Sequence, residues 1–244
     1  NGASNLDELR DRTKQKVLRR LKEEILDLPD KIITPIFLEL NSAEYRREVG
    51  EYLDWANENK SESLSIQLNK LMKVRQLIDK EKLKNTFDLI DQCLEQDKKV
   101  IVFTNFTEPL MGIWSKYKKI SVPLYGRMNQ QQRQDSVDSF QNNPKIKIFV
   151  SNIKAGGVGI TLTSAEVVIF NDLSFVPSDM SQAEDRAFRI GQKKNVSCLY
   201  PIFDNTVEKV IYNMVQKKKR VIDTVMGDHI EEEDIMLSIL EEMQ

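Results

Sequence analysis

Three polar side chains within residues 181–192 have the types and the spacing that phosphate binding requires. Gln182, Arg186 and Arg189 stand at positions i, i+4 and i+7, so on a helix they would share one face. A guanidinium group is planar, permanently charged and able to bind a phosphate through two parallel hydrogen bonds. Such arginines can neutralise charge during phosphoryl transfer. The ordinary alternative is a surface helix whose arginines pair with Glu184 and Asp185.

A glycine-rich loop is the second candidate. Residues 151–163 (SNIKAGGVGITLT) follow an apolar run and hold three glycines within four positions, with Lys154 before them. Backbone N–H groups in such a loop can approach a phosphate closely. The loop is not a Walker A motif, because no Gly-Lys-Ser or Gly-Lys-Thr occurs in the chain. A tight strand-to-helix turn that needs positive φ would explain the same glycines.

The third candidate is the end of an apolar run. Residues 100–107 (VIVFTNFT) read as a buried strand that ends in Thr104, Asn105 and Thr107. Open α/β sheets bind ligands at the carboxyl ends of their strands. Short hydroxyl and amide side chains at such an end can bond a nucleic-acid backbone. An ordinary strand end accounts for these residues equally well.

The elements that must position these groups follow from hydrophobic periodicity. Residues 98–203 alternate short β-branched and aromatic runs with helical stretches; the runs are 100–103, 122–124, 146–150, 167–170 and 196–202, and the helices 108–118, 130–141 and 178–189. This alternation predicts an α/β domain with a parallel sheet covered by helices on both faces. We expect Ala183, Ala187 and Ile190 to pack on that sheet.

The remaining residues read as mainly helical. Helices are predicted over 7–28, 44–57, 64–96 with a possible break near Asp79, and 204–226. Pro35 marks the extended run 31–40 as an edge strand. The predicted units are a helical connector and protrusion (1–97), the α/β lobe (98–203), a helix packing back on it (204–230) and an acidic tail (231–244), helical or disordered.

Composition excludes several classes of protein. Two cysteines and one histidine leave no disulfide framework, no histidine-based metal site and no Ser-His-Asp triad. Such cysteine usage makes an intracellular, reducing location the expectation. No apolar run approaches the roughly 18 residues of a membrane helix, so we expect no membrane association. The net charge is −2, but seven of the 38 acidic residues lie in 227–244, which has no Lys or Arg. The body is therefore mildly basic, which permits phosphate binding without demanding it.

Taken in order, these segments resemble the second RecA-like lobe of superfamily 2 helicases, and specifically the SNF2 family of DNA-dependent ATPases. VIVFTNFT resembles the motif IV of that family, SNIKAGGVGITLTSA its motif V, and QAEDRAFRIGQ its motif VI. LRRLKEEILDLPDK (18–31) is similar to the stretch that joins the two lobes. One departure lies in residues 172–177 (DLSFVP), where Phe175 and Val176 replace the Trp and Asn of the family.

The resemblance implies a role for each matching position. Arg189 would be the arginine finger on the γ-phosphate, Arg186 a second cation beside it, and Gln182 the group that orients both. Gly157 and Gly159 would let the loop approach nucleotide and DNA. The residues implied to track the phosphates of one DNA strand are Thr104, Asn105, Ser151, Asn152 and Lys154.

The resemblance also implies what this sequence lacks. The family binds ATP between two lobes, and the first lobe carries the phosphate loop and the Mg²⁺-binding Asp-Glu, neither of which occurs here. We therefore expect a fragment that does not hydrolyse ATP alone, with ATP, double-stranded DNA and a first lobe of the same parent chain as partners. The location would be the nucleus of a eukaryote or the cytoplasm or nucleoid of a bacterium.

Two alternatives remain open. The lobe could be a non-hydrolysing module that binds DNA or protein, although such a module has no need of both arginines. It could also be the lobe of a DEAD-box-type RNA helicase, which the RIGQ and LPDK sequences disfavour.

Overall fold

A computed structural model describes residue 8 and residues 28–59, 63–156 and 159–225. Along the chain the elements are β1 (Lys31–Leu38), α1 (Ala43–Glu58), α2 (Leu64–Glu95), β2 (Val100–Thr104), α3 (Thr107–Lys116), β3 (Ser121–Leu124), α4 (Gln130–Asn142), β4 (Ile148–Asn152), α5 (Ile153–Gly156), β5 (Val167–Phe170), α6 (Pro177–Ala187), β6 (Val196–Phe203) and α7 (Val207–Val225). The six strands form one sheet in the order β1-β6-β5-β2-β4-β3. Every pairing is parallel, so the predicted α/β class is confirmed.

Helices bury both faces of this sheet, as the continuous apolar strands predicted. Successive residues of β2 point to opposite faces. Ile101 and Phe103 belong to a core that includes side chains of α4, α5 and α6. Val100 and Val102 pack instead with side chains of α2 and α3. The two layers fix the strands rigidly, so the loops at the strand ends start from defined positions.

Strand β1 is the edge of the sheet, which explains the tolerance of Pro35. The N–H of Val196 donates to the carbonyl of Asp30 (2.9 Å) and the N–H of Asp204 to that of Leu38 (2.8 Å). Even-numbered residues of β1 therefore face β6, and the odd-numbered Pro35 faces away from it. The missing N–H of Pro35 costs no bond in this pair.

Strand β1 also bears on the predicted units. It lies within residues 1–97, assigned above to a helical connector, yet it pairs along its whole length with β6 of the lobe. The proposed boundaries between the units stay a prediction. The helix predicted over 7–28, apart from residues 8 and 28, and the tail 231–244 lie outside the described residues.

Helix α2 is continuous, so the predicted break near Asp79 is wrong. The side-chain oxygens of Asp79 accept hydrogen bonds from the Thr104 hydroxyl (2.9 Å) and from the Asn171 amide. Because the buried carboxyl group has these partners, the helix stays closed around it. Within the described ranges, no helix is long and apolar enough to cross a membrane.

Candidate nucleotide and nucleic-acid site

The arginine turn, residues 186–192, begins where α6 ends. The N–H of Phe188 bonds to the carbonyl of Glu184 (3.1 Å) and closes the helix, whose last residue is Ala187. Arg189 therefore lies beyond the helix, and the prediction that it shares one helical face with Gln182 and Arg186 is wrong. Gln182 and Arg186 do lie on α6, one turn apart.

The early end of α6 also changes the predicted packing face. Ala183 and Ala187 are fully buried, as expected. Ile190 is 70% exposed, so the prediction that it packs on the sheet is wrong. The reason is the same, because a residue beyond the helix no longer follows the helical spacing of 3.6 residues per turn.

The two guanidinium groups nevertheless converge on one acceptor. Nη1 of Arg186 lies 3.3 Å from the carbonyl oxygen of Ile160, and Nη1 of Arg189 lies 3.5 Å from the same oxygen. Arg189 also donates to the hydroxyl of Thr161 (3.2 Å). Burial lowers the pKa of Arg186, and the nearby positive charge of Arg189 lowers it further. An anion between the two groups would offset this repulsion, so the arrangement suits a phosphate.

The glycine loop and the arginine turn meet at this acceptor. Gly159 immediately precedes Ile160 and has φ +69, a conformation that favours glycine. Its position is exposed, with open space where a side chain would be. Gly157 lies outside the described residues. The loop after α5 thus brings the glycine-rich segment into contact with the arginine turn.

Gln192 fixes the far end of the arginine turn. Its side-chain N–H groups donate to the carbonyls of Ala165 (2.8 Å) and Ala187 (3.2 Å), and its side-chain oxygen accepts from two backbone N–H groups. Gly191 adopts φ +102, which strongly favours glycine. The Gly-Gln pair of the RIGQ sequence therefore builds the turn, a role that its match to the motif did not reveal.

The strand ends behave differently from the arginine turn. Thr104 and Ser151 are fully buried. The Thr104 hydroxyl donates to Asp79 (2.9 Å), and the Ser151 hydroxyl donates to the carbonyl of Asn152 (3.0 Å). Both hydroxyl groups are thus occupied inside the fold, and the contact of Thr104 and Ser151 with a DNA phosphate stays a prediction. The Thr104 hydroxyl links β2 to α2, whereas the Ser151 bond stays within β4.

Asn105 is also occupied internally. Its side-chain N–H groups donate to the Asp172 carboxylate and to the carbonyl of Leu173, both at 2.8 Å. An amide nitrogen carries only two protons, so none remains for a phosphate. Asn152 is half-buried and lies 3.4 Å from two backbone carbonyls. Lys154 is the one predicted phosphate contact with an exposed cationic side chain.

A buried ion pair below the carboxyl ends of β2 and β4 was not predicted from the sequence. Nη2 of Arg75 lies 2.9 Å and 3.1 Å from the two oxygens of Asp172 and also donates to the carbonyl of Leu173. The guanidinium carbon lies 4.2 Å from the centroid of the Phe175 ring. Helix α2 is thereby tied to the loop after β5, which in turn holds Asn105.

Arg75 belongs to a buried polar stripe along α2. The stripe consists of positions i, i+4, i+7 and i+11 of the helix: Arg75, Asp79, Lys82 and Thr86. Lys82 pairs with Glu208 of α7, and Thr86 contacts Asn171. Burial raises the pKa of Asp79 to about 8, with the charge of Asp172 as the next cause. A four-residue polar stripe at helical spacing was the available sequence signal, but it is equally typical of a solvated face.

No metal site emerges from these groups. Among the residues that the structure describes, no three His, Cys, Asp or Glu side chains lie together in a way that could hold an ion. The described carboxylates at the site are already paired with Arg75, Lys82 or amide groups.

Comparisons with known proteins give a consistent picture. The family model described as "Helicase conserved C-terminal domain" matches residues 81–191 of this chain. The chain is 30% identical over 240 residues to an uncharacterised ATP-dependent helicase of Mycoplasma pneumoniae, covering 91% of this chain and 23% of that protein. It is 33% identical over 231 residues to the SWI/SNF-related matrix-associated actin-dependent regulator of chromatin subfamily A-like protein 1 of Drosophila melanogaster, covering 92% and 31%. The chain thus spans less than a third of either relative.

A solved structure is similar over nearly the whole chain. The Sulfolobus solfataricus SWI2/SNF2 ATPase core in complex with dsDNA superposes with a TM-score of 0.67 at 28% identity. The likeness covers 94% of this chain and 55% of that one.

Proposed function

Because the chain belongs to the SNF2 family of helicase-like proteins and forms its C-terminal RecA-like lobe, we propose that it is the second motor lobe of an ATP-dependent translocase on double-stranded DNA. The observation that carries this proposal is the convergence of Arg186 and Arg189 on the Ile160 carbonyl. Two cations held against one backbone oxygen form a preorganised site for a triphosphate.

Arg189 is the arginine finger in this proposal. Its guanidinium is exposed and donates to the Ile160 carbonyl and the Thr161 hydroxyl, so it can turn toward an anion at little cost. As the bond to the γ-phosphate breaks, negative charge develops on the phosphoryl oxygens, and a guanidinium there stabilises the transition state. Arg186, more deeply placed, supplies a second positive charge, and the exposed Gln182 orients the pair.

The phosphate loop and the carboxylates that hold Mg²⁺ would come from a first lobe of the same protein. Mg²⁺ supplies charge neutralisation on the β- and γ-phosphates when it is bound. This chain alone would then be inactive toward ATP. Such a motor would work on DNA in the nucleus of a eukaryote or in the cytoplasm or nucleoid of a bacterium.

DNA binding would rest on fewer side chains than the sequence indicated. Lys154 offers an exposed ammonium group next to the strand edge, and Asn152 is half-exposed beside it. Contacts of this kind read the phosphate backbone and not the base sequence, so the affinity should fall steeply as salt rises.

The test is the ATPase rate of the native protein that contains this chain, measured without nucleic acid, with duplex DNA, with single-stranded DNA and with RNA. Strong stimulation by duplex DNA is expected. Stimulation by RNA alone would favour an RNA helicase. No hydrolysis under any condition would overturn the motor proposal in favour of a non-hydrolysing module that binds DNA or protein.

A further inference from the structure

The segment Leu28–Lys31 (LPDK) enters the domain directly beside the arginine turn. The N–H of Asp30 donates to the side-chain oxygen of Asn195 (3.1 Å), and its carbonyl accepts from the N–H of Val196 (2.9 Å). Both partners follow the arginine turn by only a few residues. The entering chain is thereby fastened to one end of the turn through its backbone.

The side chain of Lys31 fastens the other end. Its ammonium lies 2.8 Å from Oε2 of Glu184 and 5.3 Å from the centroid of the Phe188 ring. Glu184 precedes Arg186 by two residues, and Phe188 follows it by two. A single ammonium group therefore lies against a residue on each side of Arg186: Glu184 within α6, and Phe188 beyond its end and next to Arg189.

The surroundings make this contact hard to replace. Glu184 is 1% exposed, and its second oxygen accepts from the Tyr200 hydroxyl (2.5 Å). The other ammonium near it, that of Lys219, is 3.8 Å away. Burial by itself would lower the pKa of Lys31, but the Glu184 carboxylate, with Asp185 and Cys198 beside it, outweighs burial and raises it. Lys31 thus stays charged against a buried carboxylate.

We propose that Lys31 is a positioning residue, which acts through Glu184 and Phe188 to couple the chain entering the domain to the arginine turn. A displacement of the Leu28–Lys31 segment would then move Arg186 and Arg189 relative to a bound triphosphate. The coupling itself concerns only this chain. Its consequence for catalysis rests on the function proposed above.

The first experiment measures amide hydrogen exchange in the full chain. The variant is Lys31→Met/Glu184→Gln, which removes both charges and leaves an acceptor for Tyr200. The backbone amides of residues 188–192 should exchange about tenfold faster than in the parent, after correction for any change shared by the whole chain. The matched control is Lys82→Met/Glu208→Gln, which removes another buried pair, whose side chains are 0% and 4% exposed. It should leave residues 188–192 unaffected relative to the rest of the chain.

The second experiment measures ATP turnover in the native protein. The double variant Lys31→Met/Glu184→Gln should lower kcat about 10- to 100-fold with little change in the KM for ATP, because misplaced catalytic groups lose transition-state contacts first. The single variant Lys31→Arg keeps the charge beside Glu184 and should keep most of the parental rate. The Lys82 variant should lower thermal stability without this selective loss of kcat.

The outcomes separate the two proposals. If residues 188–192 exchange no faster in the Lys31 variant than in the Lys82 control, the coupling is absent and the inference fails. If exchange accelerates but turnover stays at the parental rate, the coupling stands and the catalytic role of the arginines is wrong. If both variants lower turnover and loosen the turn equally, Lys31 is merely structural, which also overturns the inference.

Discussion

The arginine turn and the carboxyl edge of strands β2 and β4 use polar residues in opposite ways. At the turn, Arg189 is exposed and its cationic group rests on a backbone carbonyl and a hydroxyl. At the strand edge, Thr104 and Ser151 are fully buried and bonded inside the fold. Both regions match family motifs in sequence.

This difference shows that a polar residue in a motif can either contact a ligand or build the frame around it. Exposure and the number of protons left to donate decide between the two. Asn105, with both amide protons committed to the loop after β5, belongs to the frame. Arg189 and Lys154 are exposed, and under the function proposed above they would contact a ligand. Substitutions in the two groups should therefore have separable effects on activity and on stability.

The largest effect is expected for Arg189→Ala in the native protein. Loss of an arginine finger costs about 10³-fold or more in kcat, while ATP and DNA binding should be nearly unchanged. Because the side chain is exposed, the free energy of unfolding should change by less than about 0.5 kcal/mol. Lys193→Ala, which removes an exposed cation nearby, is the control. Turnover at the parental rate in Arg189→Ala would refute the finger assignment.

The opposite pattern is expected for Arg75→Leu. The variant leaves the buried carboxylate of Asp172 without its cation, which should cost roughly 3–5 kcal/mol in the free energy of unfolding. Denaturant unfolding measures this loss. The double variant Arg75→Leu/Asp172→Asn should recover part of it, because an amide keeps the acceptor for Asn105 and removes the charge. A change as small as that of a surface substitution would show that the network is not important for stability.

The stability of the protein should depend on pH through the buried Asp79 side chain. Burial raises the pKa of Asp79 to about 8, with the charge of Asp172 as the second cause, whereas an unfolded Asp titrates at about 3.9. Between about pH 4 and pH 8 the folded protein keeps a proton that the unfolded chain has released. The contribution of Asp79 to the free energy of unfolding is therefore fully present below pH 4 and is lost as the pH rises toward 8.

The variant Asp79→Asn removes this dependence. Denaturant unfolding of variant and parent at several values between pH 4 and pH 8 should show the variant gaining relative to the parent as pH rises. A difference that stays constant over this range would mean that Asp79 does not take up its proton in the folded state.

The smallest effect is expected for Lys154→Ala. Duplex DNA affinity should fall only a few fold, and the slope of log affinity against log salt should decrease by about one. Thr104→Val is the comparison, because it removes a buried hydroxyl at the same edge. It should cost about 1 kcal/mol of stability and leave the salt slope unchanged. A lower salt slope in Thr104→Val would place that residue among the contacts.

The sequence predicted the elements and their order well. Buried parallel strands are continuous apolar runs, and helices repeat every 3.6 residues, so local periodicity is enough to identify both. It also predicted the edge position of the strand that contains Pro35, because proline lacks the N–H that a central strand requires. The spacing within the motif likewise identified Arg186 and Arg189 as candidates, because it is a pattern of neighbouring residues.

The tertiary structure decided which polar side chains remain available. Periodicity predicted neither the end of α6 at Ala187 nor the internal bonds of Thr104 and Asn105. The pairs Arg75–Asp172 and Lys31–Glu184 join residues 97 and 153 positions apart. Spacing along a chain carries no information on contacts of this range, because they form only when packed layers bring distant elements together. Local pattern thus determined the elements, and long-range packing determined which groups can still bind a ligand.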